Sequence, residues 1–158
     1  RMSQNPDPRF NYLRYATMMF YFLSSIAAIV FMTLAIIRST FEAAYVYDVS
    51  GAFQVPNVAL LALEVGTPIF SVMFDAVVIL GIQLMLNRIY IMNVLKSSVV
   101  IALMVTILAV ELAQKPNNPF SSATELAFVG SGVVAIVFNG LAMLTSLVAR
   151  NLERKMYG

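Results

Sequence analysis

The order of hydrophobic and polar positions divides the chain into long apolar runs joined by shorter polar segments. The clearest run, from Tyr15 to Ile37, contains no charged residue and is bounded by Arg14 and Arg38. A helix needs about 20 apolar residues to cross the hydrocarbon core of a bilayer. The pattern therefore predicts an all-α integral membrane protein, with a single domain over 1–158 and four transmembrane helices at 12–38, 56–87, 89–112 and 122–149.

The predicted connections between these helices differ in length. Residues 39–55 mix Glu42 and Asp48 with aromatic side chains, which is typical of an amphipathic segment at a membrane surface. Between the second and third helices, Asn87 and Arg88 leave room only for a tight turn. The segment 115–119 contains two prolines and ends the third helix.

Lys and Arg residues are distributed unequally between the two sides of the predicted bundle. Eight of the ten lie on the side of both termini and the central turn, namely Arg1, Arg9, Arg14, Arg88, Lys96, Arg150, Arg154 and Lys155. Positive residues are retained on the cytoplasmic side of membranes. We therefore expect both termini to face the cytoplasm, or the matrix or stroma of an organelle. Lys96 lies two turns inside the third helix, and we expect its side chain to reach back to this interface.

The amino-acid composition excludes several classes of protein and of functional site. Hydrophobic residues make up 60% of the chain and charged residues 11%, whereas a soluble domain has about 25% charged residues. The absence of Cys and His excludes disulfides, thiolate and imidazole metal ligands, and Ser/His or Cys/His nucleophiles. A net charge of +2 without a basic stripe does not favour nucleic acid. We expect no catalytic residues, no cofactor and no metal.

A polar stripe runs along the second predicted helix. Glu64, Pro68, Ser71 and Asp75 follow one another at intervals of four, three and four residues, which places them on one face. That face should look into the bundle or toward a partner, because an ionisable side chain facing lipid costs at least about 2.5–3.5 kcal/mol. The commoner interpretation is hydrogen bonding between helices or contact with a lipid or a neighbouring subunit. The alternative is a proton or cation path that uses Glu64 and Asp75.

Counting 1.5 Å per residue from the helix ends places Asp75 at a depth similar to that of three other polar residues. These residues are Ser24, Ser25 and Asn139. We therefore predict one polar layer, in which Asp75 is wholly or partly uncharged and hydrogen-bonded to Asn139 or to a hydroxyl of Ser24 or Ser25, since desolvation favours the neutral acid.

Small residues recur along the fourth predicted helix and let another helix approach closely. This predicted packing seam comprises Ala127, Ser131 and Ala135 at every fourth position, with Gly132 and Gly140 one position further round. We expect the seam to face the interior of the bundle.

Four helices with both ends in the cytoplasm also describe claudins, tetraspanins, connexins and proteins with a MARVEL domain. The first three depend on extracellular cysteines, and this chain has none. The resemblance to MARVEL-type proteins lies in topology alone.

We expect a non-catalytic structural or accessory subunit of a larger membrane assembly, such as a respiratory or ATP-synthase complex. Its partners would be other membrane subunits and phospholipids, and a homo-oligomer is possible. The absence of Cys and of any Asn-x-Ser/Thr sequence favours a mitochondrial, plastid or bacterial membrane. We expect the mitochondrial inner membrane rather than the plasma membrane. The alternatives are a component of a proton or ion transporter or channel, and a MARVEL-like tetraspan organiser of membrane domains.

Overall fold

The computed structural model describes the backbone of residues 8–50, 58–84, 88–113 and 122–157, and the side chains of 8–37, 60–84, 88–111 and 126–155. The described residues form four α-helices: α1 (Pro8–Ser50), α2 (Val58–Gln83), α3 (Ile89–Ala113) and α4 (Ser122–Tyr157). Each contains a segment long and apolar enough to cross a membrane: Pro8–Ile37, Leu60–Gln83, Ile89–Glu111 and Leu126–Lys155. The prediction of four helices of this length is confirmed.

Two helix ends differ from the prediction. Helix α1 continues to Ser50, through a segment assigned to a connection, and α4 continues past Ala149 to Tyr157. Charged residues end an apolar segment, but Glu, Lys and Arg are good helix formers and do not end a helix. The predicted end of the fourth helix at 149 was therefore wrong, and α1 is longer than its predicted transmembrane span of 12–38. Of the predicted connections, residues 51–55, Asn87 and residues 114–121 lie outside the described residues.

The helices pack as an antiparallel bundle in which α1 and α3 each contact both α2 and α4. Along α1 and α4, residue numbers run in opposite directions: Thr17 bonds to Thr145, and Phe31 stacks on Phe128 with ring centroids 4.5 Å apart. The start of α1, the end of α4 and the α2–α3 turn therefore share one end of the bundle. We call it the basic end, after the residues Arg9, Arg14, Arg88, Arg150, Arg154 and Lys155.

Two apolar clusters fill the interior. The cluster at the basic end comprises Phe10, Tyr21, Val78, Ile82, Ile89, Tyr90, Ala142 and Ala149. The cluster toward the opposite end comprises Ala27, Phe31, Ala35, Val100, Met104, Ile107, Leu108, Phe128 and Ala135. Between them lies a layer of polar side chains that includes Asp75 and Lys96.

The turn between α2 and α3 ends at Arg88, which has φ 62°. A side chain at this left-handed φ costs about 1–2 kcal/mol. The Arg88 carbonyl oxygen accepts hydrogen bonds from the backbone N–H groups of Ile91 and Met92 at 3.2 and 3.3 Å, and so begins α3.

Candidate functional site

The centre of the polar layer is an ion pair between Asp75 on α2 and Lys96 on α3. The Lys96 ammonium donates to Asp75 Oδ1, and the two side chains are 1% and 2% exposed. Burial of two charges is costly unless each is paired and its remaining hydrogen-bonding capacity is filled. The neighbours of the pair therefore decide whether it is stable.

The Lys96 ammonium has three N–H donors, and all three are used. Besides Asp75, it donates to the Ser71 hydroxyl at 3.3 Å and to Asn139 Oδ1 at 3.2 Å. Its nitrogen also lies 4.8 Å from the centroid of the Tyr21 ring, within cation–π range. These partners match a charged lysine, which has three donors and no acceptor.

Helices α1 and α4 complete the network. The Ser25 hydroxyl donates to Asp75 Oδ2 at 2.7 Å. Asn139 presents its oxygen to Lys96, while its amide nitrogen donates to Ser24 Oγ at 2.6 Å and to the Ala135 carbonyl at 2.9 Å. All four helices thus contribute to one hydrogen-bonded network around the ion pair, and we call it the ion-pair layer: Ser24, Ser25, Ser71, Asp75, Lys96 and Asn139.

A second polar group adjoins the ion-pair layer on the side of the basic end. The Tyr21 hydroxyl lies 2.7 Å from Ser97 Oγ and donates to the Asn93 backbone carbonyl at 3.1 Å. Tyr21, Ser97 and Asn93 are each 0% exposed. Tyr21 therefore connects α1 to α3: its ring lies beside Lys96, and its hydroxyl bonds to Ser97 and Asn93.

The role expected of Lys96 was wrong. Its side chain was expected at the interface, but the ammonium lies inside the bundle against Asp75. Asp75 is buried, which was the reason for expecting it to be uncharged, and the adjacent ammonium adds a counter-charge that the sequence analysis did not include. The expected hydrogen bond from a serine hydroxyl to Asp75 is present for Ser25. Asn139, the other partner expected for Asp75, accepts a hydrogen bond from Lys96.

The ion-pair layer does not include Glu64. This residue is buried on α2, 3% exposed, and lies 11 residues from Asp75, or about 16 Å along the helix. Among the side chains that the structure describes, no group of three or more His, Cys, Asp or Glu residues could hold a metal ion. The two acids of α2 therefore lie at separate sites.

The residues of the predicted packing seam on α4 do not share one environment. Gly132 and Ala135 are buried, Ser131 and Gly140 are half-buried, and Ala127 is exposed. A Cβ atom at Gly132 would lie 3.1 Å from both Phe31 Cε2 and Leu108 Cδ2. Close approach of α4 to α1 and α3 thus depends on Gly132.

The hydrogen bond from Ser25 to Asp75 should contribute measurably to the stability of the bundle. We expect Ser25→Ala to lower the free energy of unfolding by about 1 kcal/mol, since hydrogen bonds between membrane helices average about 0.6 kcal/mol and reach about 1.7. Ser98→Ala is the matched control, because Ser98 Oγ is exposed, bonds to the Val94 carbonyl of its own helix at 2.8 Å, and meets another helix only through a weak acceptor, Met143 Sδ, at 3.5 Å. Unfolding in increasing dodecyl sulfate, followed by circular dichroism, measures both. Equal losses would show that the Asp75 contact contributes nothing.

The fold and the site together define a class: a four-helix bundle of membrane-spanning length, with one ion pair buried between two apolar clusters. Comparison of the chain with protein-family models, with curated proteins and with solved structures finds no match.

Proposed function

We propose that the chain is an integral membrane protein whose basic end faces the cytoplasm, or the matrix or stroma of an organelle, and that it serves as a non-catalytic structural subunit of a larger membrane assembly. The four apolar segments and the position of Arg and Lys residues at one end support the first part. Of the possible membranes, we favour the mitochondrial inner membrane.

One observation carries the second part: Asp75 and Lys96, the charged groups of the ion-pair layer, are paired with each other. Lys96 uses its three donors within the bundle, and its ammonium holds the position beside Asp75 that a transported metal cation would need. An internally satisfied network that spans four helices makes a rigid unit. This arrangement supports a structural role over cation transport.

The outer surface suits contacts with lipids and other membrane subunits. Large apolar side chains are exposed on every helix, for example Phe22 at 60%, Met73 at 64%, Leu95 at 63% and Leu144 at 56%. Such a surface is stable only against acyl chains or against the apolar helices of partners.

Extraction of the tagged chain in a mild detergent, followed by native gel separation and mass spectrometry, tests the assembly. We expect co-migration with a set of membrane subunits at a constant ratio. The double variant Asp75→Asn/Lys96→Met is the informative comparison, because it removes both charges of the ion pair and leaves the outer surface unchanged. A structural subunit should still co-migrate as this variant. Migration of the wild-type chain alone, or as a small homo-oligomer, would refute the assembly role.

The second candidate is proton transport, which one observation favours. Polar side chains continue from the ion-pair layer toward the basic end through Tyr21, Ser97 and Asn93. A carboxylate connected to such a series can exchange protons, as ionisable residues in membrane proteins often do.

Reconstitution into liposomes containing a pH-sensitive dye distinguishes the two candidates. Under an applied potential, a transporter should acidify or alkalinise the lumen, and Asp75→Asn/Lys96→Met should abolish the flux. Wild-type liposomes whose flux equals that of the double variant would eliminate transport through Asp75.

A further inference from the structure

Several buried polar atoms near the ion-pair layer have no hydrogen-bond partner among the described residues. They include both side-chain atoms of Asn93, Oδ1 and Nδ2, and the Ser146 hydroxyl, and both residues are 0% exposed. A buried polar group left without a hydrogen bond costs about 1–3 kcal/mol. Buried water commonly supplies the missing partner and makes about three hydrogen bonds to such groups.

These atoms lie directly beyond the ion-pair layer. Asn93 precedes Ser97 by one turn of α3, and its backbone carbonyl already accepts the Tyr21 hydroxyl. Ser146 follows Asn139 by two turns of α4, on the same inward face. Both residues are therefore on the basic-end side of Lys96 and face the same interior.

The series continues to the basic end. Glu153 follows Ser146 by two further turns on the same face of α4, so that Asn139, Ser146 and Glu153 form one stripe roughly 21 Å long. Glu153 Oε2 and Arg14 Nε are also buried without a partner among the described residues. Arg150 contacts the other Glu153 oxygen at 3.4 Å and is partly exposed at the basic end.

We propose that water enters the bundle at the basic end and reaches the Asp75–Lys96 ion pair along this stripe, through Glu153, Ser146 and Asn93. The inference rests on the membrane insertion proposed above but not on membership in an assembly. Water at these positions supplies the partners that the side chains lack.

The path opens at the basic end, because the unpartnered atoms of Asn93, Ser146 and Glu153 all lie on that side of the ion pair. Toward the opposite end, the inward positions of α1 and α3 are apolar and close-packed: Phe31, Val100 and Met104 are 0%, 2% and 1% exposed. On α2 the inward positions of this side include the polar residues Thr67 and Glu64, so the barrier at the opposite end is formed by α1, α3 and α4. The stacked rings of Phe31 and Phe128 lie across this part of the interior.

The charge of the entrance limits what can follow the water. Arg9, Arg14, Arg88, Arg150 and Arg154 make the basic end strongly positive, and a positive potential repels metal cations. The path therefore admits water, along which protons move by exchange, and excludes other cations.

Hydroxyl-radical footprinting of the wild-type protein in lipid vesicles tests the path without any substitution, because radiolysis generates radicals from buried water in place. We expect oxidation of Tyr21 and Tyr90, which are 0% and 1% exposed, and no oxidation of Met104, which is 1% exposed. Met73, 64% exposed on the outer surface, should be protected by lipid. Asn93→Leu should lower Tyr21 oxidation by about half or more, since it removes the central polar partners of the water, and Ser146→Ala provides a second variant.

The outcomes separate the two proposals. If Tyr21 and Tyr90 are as inert as Met104, the interior is dry and the path is refuted. If Met104 is oxidised as fast as Tyr21, water crosses the whole bundle and the one-sided access is refuted. Rapid oxidation of Met73 would show that its face meets water, which overturns membrane insertion and with it the basis of the path.

Discussion

Asp75→Asn is expected to lower the free energy of unfolding by about 3–5 kcal/mol, the range for removing one partner of a buried ion pair. The Lys96 ammonium would then remain inside the bundle without a counter-charge. Lys96→Met added to Asp75→Asn should restore most of the loss, because an uncharged pair of similar volume removes the desolvation cost of both groups. A single variant with a lower free energy of unfolding than the double variant is the result expected of a buried ion pair.

A double-mutant cycle over the wild type, both single variants and the double variant measures this coupling. Unfolding in dodecyl sulfate, followed by circular dichroism, provides the four free energies. Additive losses from the two single variants would show that Asp75 and Lys96 do not interact, and would remove the centre of the proposed ion-pair layer. A double variant as stable as the wild type would mean that the pair contributes specificity and no net stability.

Gly132→Leu is expected to lower the free energy of unfolding by about 1–3 kcal/mol or more, as overpacking of a well-packed interior does. The first added atom would already lie 3.1 Å from Phe31 and from Leu108. Phe31 has little room to move because its ring stacks on Phe128 at 4.5 Å. The helix α4 would have to separate from α1 and α3.

Gly140→Leu is the matched control for this change. Gly140 lies two turns further along the same helix, and a Cβ atom there meets nothing within 4 Å. Both substitutions gain the same helix propensity, so the difference between them isolates packing at Gly132. Thermal unfolding of the two variants in detergent gives the comparison. A Gly132→Leu protein as stable as Gly140→Leu would show that α4 does not need a glycine at this contact.

The four helices could be predicted from the sequence, because an apolar run long enough to cross a membrane permits few other structures. The helix ends were not, since the pattern reports where apolar residues stop and not where backbone hydrogen bonding stops. Helix α4 shows the difference: its apolar residues end near Ala149, but Arg150, Glu153 and Arg154 continue the helix with favourable propensities.

Only part of the ion-pair layer could be predicted from the sequence. Periodicity placed Ser71 and Asp75 on one face, and depth counting brought Ser24, Ser25 and Asn139 to the same level, where the structure has them. Lys96 was missed because a lysine near a helix end can also reach the interface. The sequence does contain a signal for this pair. Asp75 and Lys96 lie at nearly equal distances in sequence from the connection between α2 and α3, so antiparallel packing places them opposite each other.

If the chain spans a membrane as proposed, the position of the ion pair also affects how it enters that membrane during synthesis. An isolated α2 would bring Asp75 into lipid, and an isolated α3 would bring Lys96, each at a cost of about 2.5–3.5 kcal/mol. Because the two helices are consecutive and joined by a short turn, each supplies the other's counter-ion as soon as both have left the ribosome. Helices α2 and α3 therefore form a natural unit of insertion, to which α1 and α4 add the amide and hydroxyl groups that complete the layer.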